Sequence, residues 1–207
     1  MFDSPQHDHK FTELDPDLLS TPFRLQTNWH VITGTASSGK STLIGLLIDR
    51  GFHTIPETAR LYLEMEMAKG RTAHEVHTNG VALQRGIIDM QLEFERQSMA
   101  GDFLFLDRAV PDMLAWYRVR GLDPNDFLAD CFRHRYASVF FLEQLPFQID
   151  EQRIEEVADI AGYLEEWHIR DYRALGYDII MVPVFPPEER LAFVLETLSG
   201  SGRPNGK

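Results

Sequence analysis

The chain has 207 residues, of which 43% are hydrophobic and 25% charged, and its 32 acidic against 20 basic side chains give a formal charge of -12. That length suits one compact domain, and the composition excludes collagen-like, low-complexity and wholly disordered classes. The acidic excess works against general attraction to nucleic acid or anionic lipid, so neither is expected as a partner.

No run of 18 apolar residues occurs, and the first ten residues lack the basic-then-apolar layout of a signal peptide. A soluble, cytoplasmic protein is expected, and the lone Cys131, unable to form an internal disulfide, fits a reducing compartment. Residues 1–27 are mostly polar, with Asp15-Pro16 and Thr21-Pro22 as breakers and Leu18-Leu19 as an apolar anchor. They read as an arm lying on a single domain over residues 28–199, with residues 200–207 as a loose tail.

Within that domain short β-like runs alternate with longer helical patterns, which predicts an α/β fold with a parallel sheet covered by helices. The five predicted strands are residues 29–33, 52–55, 103–106, 138–142 and 178–182. Helices are predicted over 40–50, 57–69, 73–99, 111–120, 125–134, 152–175 and 187–198. Ligands of such sheets bind beyond the carboxyl ends of the strands.

After the first run comes Gly34-Thr35-Ala36-Ser37-Ser38-Gly39-Lys40-Ser41, a full G-x-x-x-x-G-K-[ST] match that leads through Thr42 into a helical pattern. Its glycines let the backbone wrap phosphate oxygens, Lys40 would bridge the β- and γ-phosphates of ATP, and the Ser41 hydroxyl would help hold magnesium. The second run ends at Ile55-Pro56-Glu57, which puts a carboxylate beside this loop. It is suited to take a proton from an attacking hydroxyl, or equally to favour the first turn of a helix. Arg60 shares its helical face and would pair with it or reach a substrate anion.

The third run delivers Asp107-Arg108 to the same edge. Four apolar residues and an acid at this distance from a phosphate loop form a Walker B-like magnesium site at Asp107, the alternative being a helix cap. Motor ATPases usually place a glutamate after this aspartate; Arg108, a donor for phosphate oxygens, argues against hydrolysis-driven work. Asn-Lys-x-Asp and Thr-Lys-x-Asp, which would read guanine, are absent.

The phosphate loop, Glu57-Thr58-Ala59-Arg60, Asp107-Arg108-Ala109-Val110-Pro111-Asp112 and Leu175-Gly176-Tyr177 with Val182-Pro183-Val184 together resemble the P-loop kinase branch of the NTPases. More closely, they resemble the small AAA-domain ATPases related to the ribosylnicotinamide-kinase domain of NadR and to the TRPL-translocation-defect proteins. The resemblance implies a three-layer sandwich with a five-stranded parallel sheet in 2-3-1-4-5 order, ATP with magnesium in the loop, and Glu57 as general base. It also implies a helical lid over about residues 145–172, with Arg153 as its phosphate clamp. This lid departs from the pattern, because Asp150, Glu151, Glu155, Glu156 and Asp159 surround one arginine where several cations would help neutralise a phosphoryl group. Arg170 and Arg173 on the following helix would assist.

Gln84, Arg85, Asp89, Trp116, Tyr117, Arg118 and Arg120 fall where such kinases line the acceptor pocket, although most of residues 74–99 reads as core. Residues 182–187 would contact the nucleotide base or simply form a proline-stiffened connection. His7, His9, His74 and His77 lack a third ligand at metal-binding spacing, and Cys131 reads as a small buried residue. The expected activity is ATP- and magnesium-dependent phosphoryl transfer to a small hydroxyl-bearing metabolite, catalysed by Lys40, Glu57, Asp107, Arg108 and Arg153; the alternative is a nucleotide-dependent switch without a small acceptor.

Overall fold

The structure is a computed structural model that describes residues 12–78, 80–145 and 154–201. Five strands form its sheet: β1 (Trp29–Thr33), β2 (His53–Ile55), β3 (Leu104–Asp107), β4 (Ser138–Leu142) and β5 (Ile179–Val182). All pair in parallel, in the spatial order β2-β3-β1-β4-β5, which is the expected 2-3-1-4-5 arrangement. Helices α1 (Lys40–Asp49), α2 (Thr58–Ala68), α3 (Ala73–Thr78), α4 (Gly80–Gln97), α5 (Asp112–Val119) and α6 (Ile154–Ala174) lie between the strands, and α7 (Pro187–Ser201) follows β5.

The strands read as unbroken apolar runs because both faces of the sheet are covered. Alternate residues separate into two layers, as a period of two requires. Val31, Leu104, Leu106 and Val139 join one core with Ile88 of α4, Leu114 of α5 and Tyr172 of α6, whereas Ile32, Phe105, Phe140 and Leu142 join another with Leu43 and Leu47 of α1 and Leu191 and Val194 of α7. Each fully buried side chain of this size contributes about 1.5–3 kcal/mol relative to exposure. The two layers clamp the strands and hold their carboxyl ends at one edge, where the loops after β1, β2 and β3 meet.

Local chemistry accounts for several boundaries. The predicted helix 73–99 is divided into α3 and α4. In α4, Gly86 is where α2 packs: a Cβ there would lie 2.2 Å from the Tyr62 ring, so the ring occupies the space that a side chain would fill. The predicted helix over 125–134 is instead two short 3-10 turns, Pro124–Asp126 and Leu128–Phe132. Asp123 caps the first by accepting from the Asn125 amide at 2.9 Å, and Phe127, Leu128, Cys131 and Phe132 are all buried, a pattern that one helical stripe does not satisfy. His134–Arg135 then pairs in parallel with Leu25–Gln26. Pro16–Leu19 forms one helical turn, and Leu18, Leu19 and Phe23 pack on the first core. Among the described residues no helix is long and apolar enough to cross a membrane.

Candidate functional site

β1 gives way at Thr33 to a turn whose backbone demands glycine at two places. At Gly34 (φ +141°) a Cβ would lie 2.8 Å from the Leu142 carbonyl oxygen, and Gly39 (φ +86°) is the left-handed residue that opens α1. Ser37 is left-handed too, at φ +59°. Among the described residues no backbone carbonyl accepts from the amides of residues 36–41, so the turn is a run of unclaimed donors at a helix N-terminus. Ala36, Ser37, Ser41 and Thr42 are exposed; Thr35, Ser38 and Lys40 are buried.

Two residues that the sequence reading passed over hold this turn from outside. Gln144, just past β4, donates to the Ala36 carbonyl at 2.9 Å and accepts from the Thr35 hydroxyl. Arg190, on the first turn of α7, donates to the carbonyls of Ser38, Glu143 (3.1 Å) and Pro183 (2.9 Å). In sequence Arg190 ends the run Glu188-Glu189-Arg190, which reads as a solvated face, and nothing local marks it as buried. Its bond to Pro183 commits one of the carbonyls considered for base contact to bracing the loop.

Lys40 turns back onto the loop, its Nζ donating to the Thr35 carbonyl at 2.5 Å and to Ser38 Oγ at 3.3 Å. Burial, and next the Arg108 guanidinium, lower its pKa to about 7, against the opposite pull of Asp107, Glu57 and Asp112. Facing it is Asp107 at the tip of β3, pushed up to about 6 by burial and by Glu57, with Arg108 and Lys40 opposing. Asp107 Oδ1 is buried without a hydrogen-bond partner among the described residues. An unclaimed carboxylate oxygen beside the exposed Ser41 hydroxyl's loop is a hard donor of the kind that magnesium takes, so the residues present fit the metal.

Arg108 is left-handed at φ +71°, an uncommon conformation for a residue with a Cβ, and its amide donates to the Ile32 carbonyl at 3.0 Å. This turn aims its guanidinium across the strand tips, where Nε meets Glu57 Oε1 at 3.1 Å and Nη1 lies 3.9 Å from Asp112 Oδ1. Glu57 precedes α2 as its N-cap but makes no capping bond with its side chain, which leaves the carboxylate for this ion pair. Asp112, fully buried, is the brace beneath: it accepts from the Ala109 amide at 2.9 Å, the Tyr172 hydroxyl at 2.6 Å and the Thr33 hydroxyl. It thereby joins β1, the turn after β3 and α6, a role that the Asp-Arg-x-x-Pro-Asp string did not disclose.

Beside Glu57 and Arg108 opens a pocket of about 140 Å³, walled mainly by Leu63, Leu83, Ile87, Met113 and Trp116. Gln84 and Arg120 also line it, as the sequence suggested. Other candidates lie elsewhere. Arg85 pairs with Asp89 at 2.8 Å and both face a different groove. Tyr117 is packed on Phe127, and Arg118 is buried in a two-pronged pair with Asp171 (2.6 and 2.9 Å) under the Trp167 ring. Arg60 pairs with Glu64, not Glu57, and Arg170 pairs with Glu13. Arg153 and the lid segment 146–153 lie outside the described residues. Among the described residues no cluster of three or more metal-type ligands involves His74 or His77.

Comparison with known proteins follows the same lines. No functionally curated protein matches the chain. Its fold matches the crystal structure of NadR protein in complex with NR (TM-score 0.59, 18% identity, covering 87% of this chain and 52% of that one). It also matches thymidylate kinase from Candida albicans (TM-score 0.57, 14% identity, 84% and 92% covered). A third similar structure is shikimate kinase from Aquifex aeolicus (TM-score 0.51, 13% identity, 84% and 97% covered). At these identities what is shared is the P-loop kinase fold. Over residues 29–190, from the first residue of β1 to the arginine that braces the phosphate loop, the sequence matches a family model described as AAA domain, and the chain belongs to that family.

Proposed function

We propose that the chain is an ATP- and magnesium-dependent phosphotransferase whose acceptor is a small hydroxyl-bearing molecule. The observation that carries this reading is the juxtaposition of Glu57 and Arg108 with an apolar pocket on one side and the phosphate loop's lysine and strand-tip aspartate on the other. The kinase folds it shares support the same direction.

The loop from Gly34 to Thr42 would receive the polyphosphate through its amides, and Lys40 would exchange its loop carbonyl for phosphate oxygens, which are stronger acceptors. Ser41 and Asp107 would hold magnesium, which when bound neutralises charge between the β- and γ-phosphates. The acceptor hydroxyl gives its proton to Glu57 Oε as its oxygen bonds to the γ-phosphorus; the bond from that phosphorus to the bridging oxygen breaks and ADP leaves. Arg108 would stabilise the charge on the transferring group, with Arg153 as the lid's contribution. We place the lid over about residues 145–172 of a domain spanning 28–199, with 1–27 as an arm and 200–207 as a tail. We read the protein as cytoplasmic.

The test is acceptor-dependent ADP release across a panel of nucleosides, sugars, amino alcohols and prenols, with Lys40→Ala as blank. Glu57→Gln is expected to lower transfer by about 10²–10⁴-fold and to leave ATP affinity within a few-fold. An active Glu57→Gln enzyme removes the base assignment, and ATP turnover indifferent to every acceptor, with a partner bound only in the ATP state, supports the switch instead.

A further inference from the structure

The edge of the sheet opposite the phosphate loop carries a groove that the proposed reaction does not use. The paired segments Leu25–Gln26 and His134–Arg135 precede β1 and β4, so they lie at the amino ends of those strands. With the stretch of α4 from Arg85 to Arg96 they border a groove of about 480 Å³. Four of the chain's 20 basic side chains, Arg24, Arg85, Arg96 and Arg133, line it, in a protein of formal charge -12. Three of these hold carboxylates: Arg85 meets Asp89 at 2.8 Å, Arg96 meets Glu93 at 2.6 Å and Arg133 meets Asp130 at 2.8 Å. The arginines in these pairs are exposed, and surface pairs of this kind are weak, so a more highly charged anion can displace the carboxylates. Arg24 is exposed and pairs with no carboxylate among the described residues, while its amide donates to the Phe132 carbonyl at 2.9 Å and so keeps it beside Arg133.

Glu95 and His134 set this groove apart from a solvated charged face. Glu95 lines it but is 1% exposed, because its carboxylate accepts from the Tyr136 hydroxyl at 2.9 Å and the Gln91 amide at 3.0 Å and meets His134 Nδ1 at 2.8 Å. A ring nitrogen spent on a buried carboxylate fixes the imidazole's orientation and leaves Nε2 as its remaining polar atom. His134 also lines the groove, and its Nε2 has no hydrogen-bond partner among the described residues.

The lining also limits the ligand. No cluster of three metal-type ligands forms among the described residues, so the groove's acids do not make a cation site. A phosphate monoester carries about 1.5–2 negative charges and three strong acceptor oxygens, and its second ionisation near pH 6 lets it share a proton with an imidazole nitrogen in either protonation state. At about 480 Å³ the groove is several times the roughly 150 Å³ that holds a benzene ring, so it takes a phosphate together with the molecule it esterifies. Leu25 and Leu92 offer that molecule apolar surface, and Asp89 and Glu93 offer acceptors for its hydroxyls.

We propose that this groove is a second ligand site, for the phosphate monoester of a small hydroxylated molecule, with Arg24 and His134 Nε2 on the phosphate and Arg133 exchanging Asp130 for it. The assignment does not rest on the phosphotransfer reading.

The experiment measures binding of ribose 5-phosphate and glycerol 3-phosphate by calorimetry, against ribose, glycerol and glycerate, with wild type, Arg24→Gln, His134→Asn and Lys40→Ala. Asparagine places an amide nitrogen near the position of Nδ1, so His134→Asn keeps a donor for Glu95 and removes Nε2; urea unfolding checks each variant. Both esters are expected to bind wild type and Lys40→Ala alike, and Arg24→Gln and His134→Asn each to weaken them by roughly 10–100-fold while unfolding stays unchanged. A merely structural His134 would show the opposite split, with altered unfolding and the same affinity. If His134→Asn does not fold, Arg24→Gln, which changes an exposed side chain, decides alone. No heat with either ester, full affinity in Arg24→Gln or in folded His134→Asn, or equal binding of ribose, glycerol or glycerate overturns the proposal. Binding abolished by Lys40→Ala assigns the phosphate to the loop and overturns it as well.

Discussion

Replacing Arg190 with methionine tests how the phosphate loop is held. The arginine is 3% exposed, and its guanidinium serves three carbonyls from three segments: Ser38 in the loop, Glu143 after β4 and Pro183 after β5. Ser38 is buried, so stranding its carbonyl costs about 1–3 kcal/mol. Glu143 and Pro183 are half-buried, where water replaces the lost donor, at about 0.5–1.5 kcal/mol each. Together these give about 2–6 kcal/mol, and removing a cation that burial disfavours returns part of it. Against a total stability of about 5–15 kcal/mol this is a large fraction. With a urea dependence of about 2 kcal/mol per molar, the unfolding midpoint should fall by about 1–3 M. ATP affinity should fall about tenfold or more, since the loop loses the contact that fixes Ser38 next to Gly39; Arg190→Lys should recover at most one of the three bonds. Urea titration followed by circular dichroism, with calorimetry for ATP, measures both quantities. A midpoint within about 0.3 M of wild type, together with unchanged ATP affinity, would refute the bracing argument.

Gly86→Ala should cost about 1–3 kcal/mol in urea unfolding, because the new Cβ overlaps the Tyr62 ring, and the cost should shrink in a Tyr62→Leu background; strictly additive effects would show that the two do not share that space. Asp112→Asn keeps the shape but turns an NH2 group toward a hydroxyl or amide that now needs an acceptor, so a loss of about 2–4 kcal/mol is expected, and wild-type stability in this variant would break the brace assignment. Burial pushes the pKa of His168 down to about 4, below its ordinary value of 6.5. The unfolded chain therefore takes up this proton first, and stability drains as pH falls from about 6.5 toward 4. At pH 5 the contribution to wild-type destabilisation is about 2 kcal/mol, so His168→Gln should show a correspondingly smaller loss between pH 7 and pH 5, and parallel pH profiles would exclude this linkage.

What could be read from the amino acids alone was whatever is encoded over a few consecutive positions. The Gly34 to Ser41 turn, the apolar run before it and the helical pattern after it are local, so the loop, its strand and α1 were legible, and so was the arrival of Glu57 and Asp107 at strand ends. The α/β layering followed from the alternation of runs, and the strand order from the resemblance. The segment 125–134 looked helical because its period is ambiguous over so short a span; burial of Phe127, Leu128, Cys131 and Phe132 on several sides decided otherwise. Partnership across long sequence separations was not legible at all. That Arg108 meets Glu57 rather than leaving it to Arg60, that Arg118 is spent on Asp171, and that Asp112 gathers groups from β1 and α6 depend on which side chains the packed layers bring within about 3 Å, the distance over which hydrogen bonds act. Arg190 is the plainest case: in the chain it is one charge among glutamates, and it becomes the loop's support only because the sheet carries α7, β4 and the loop after β1 to a single point.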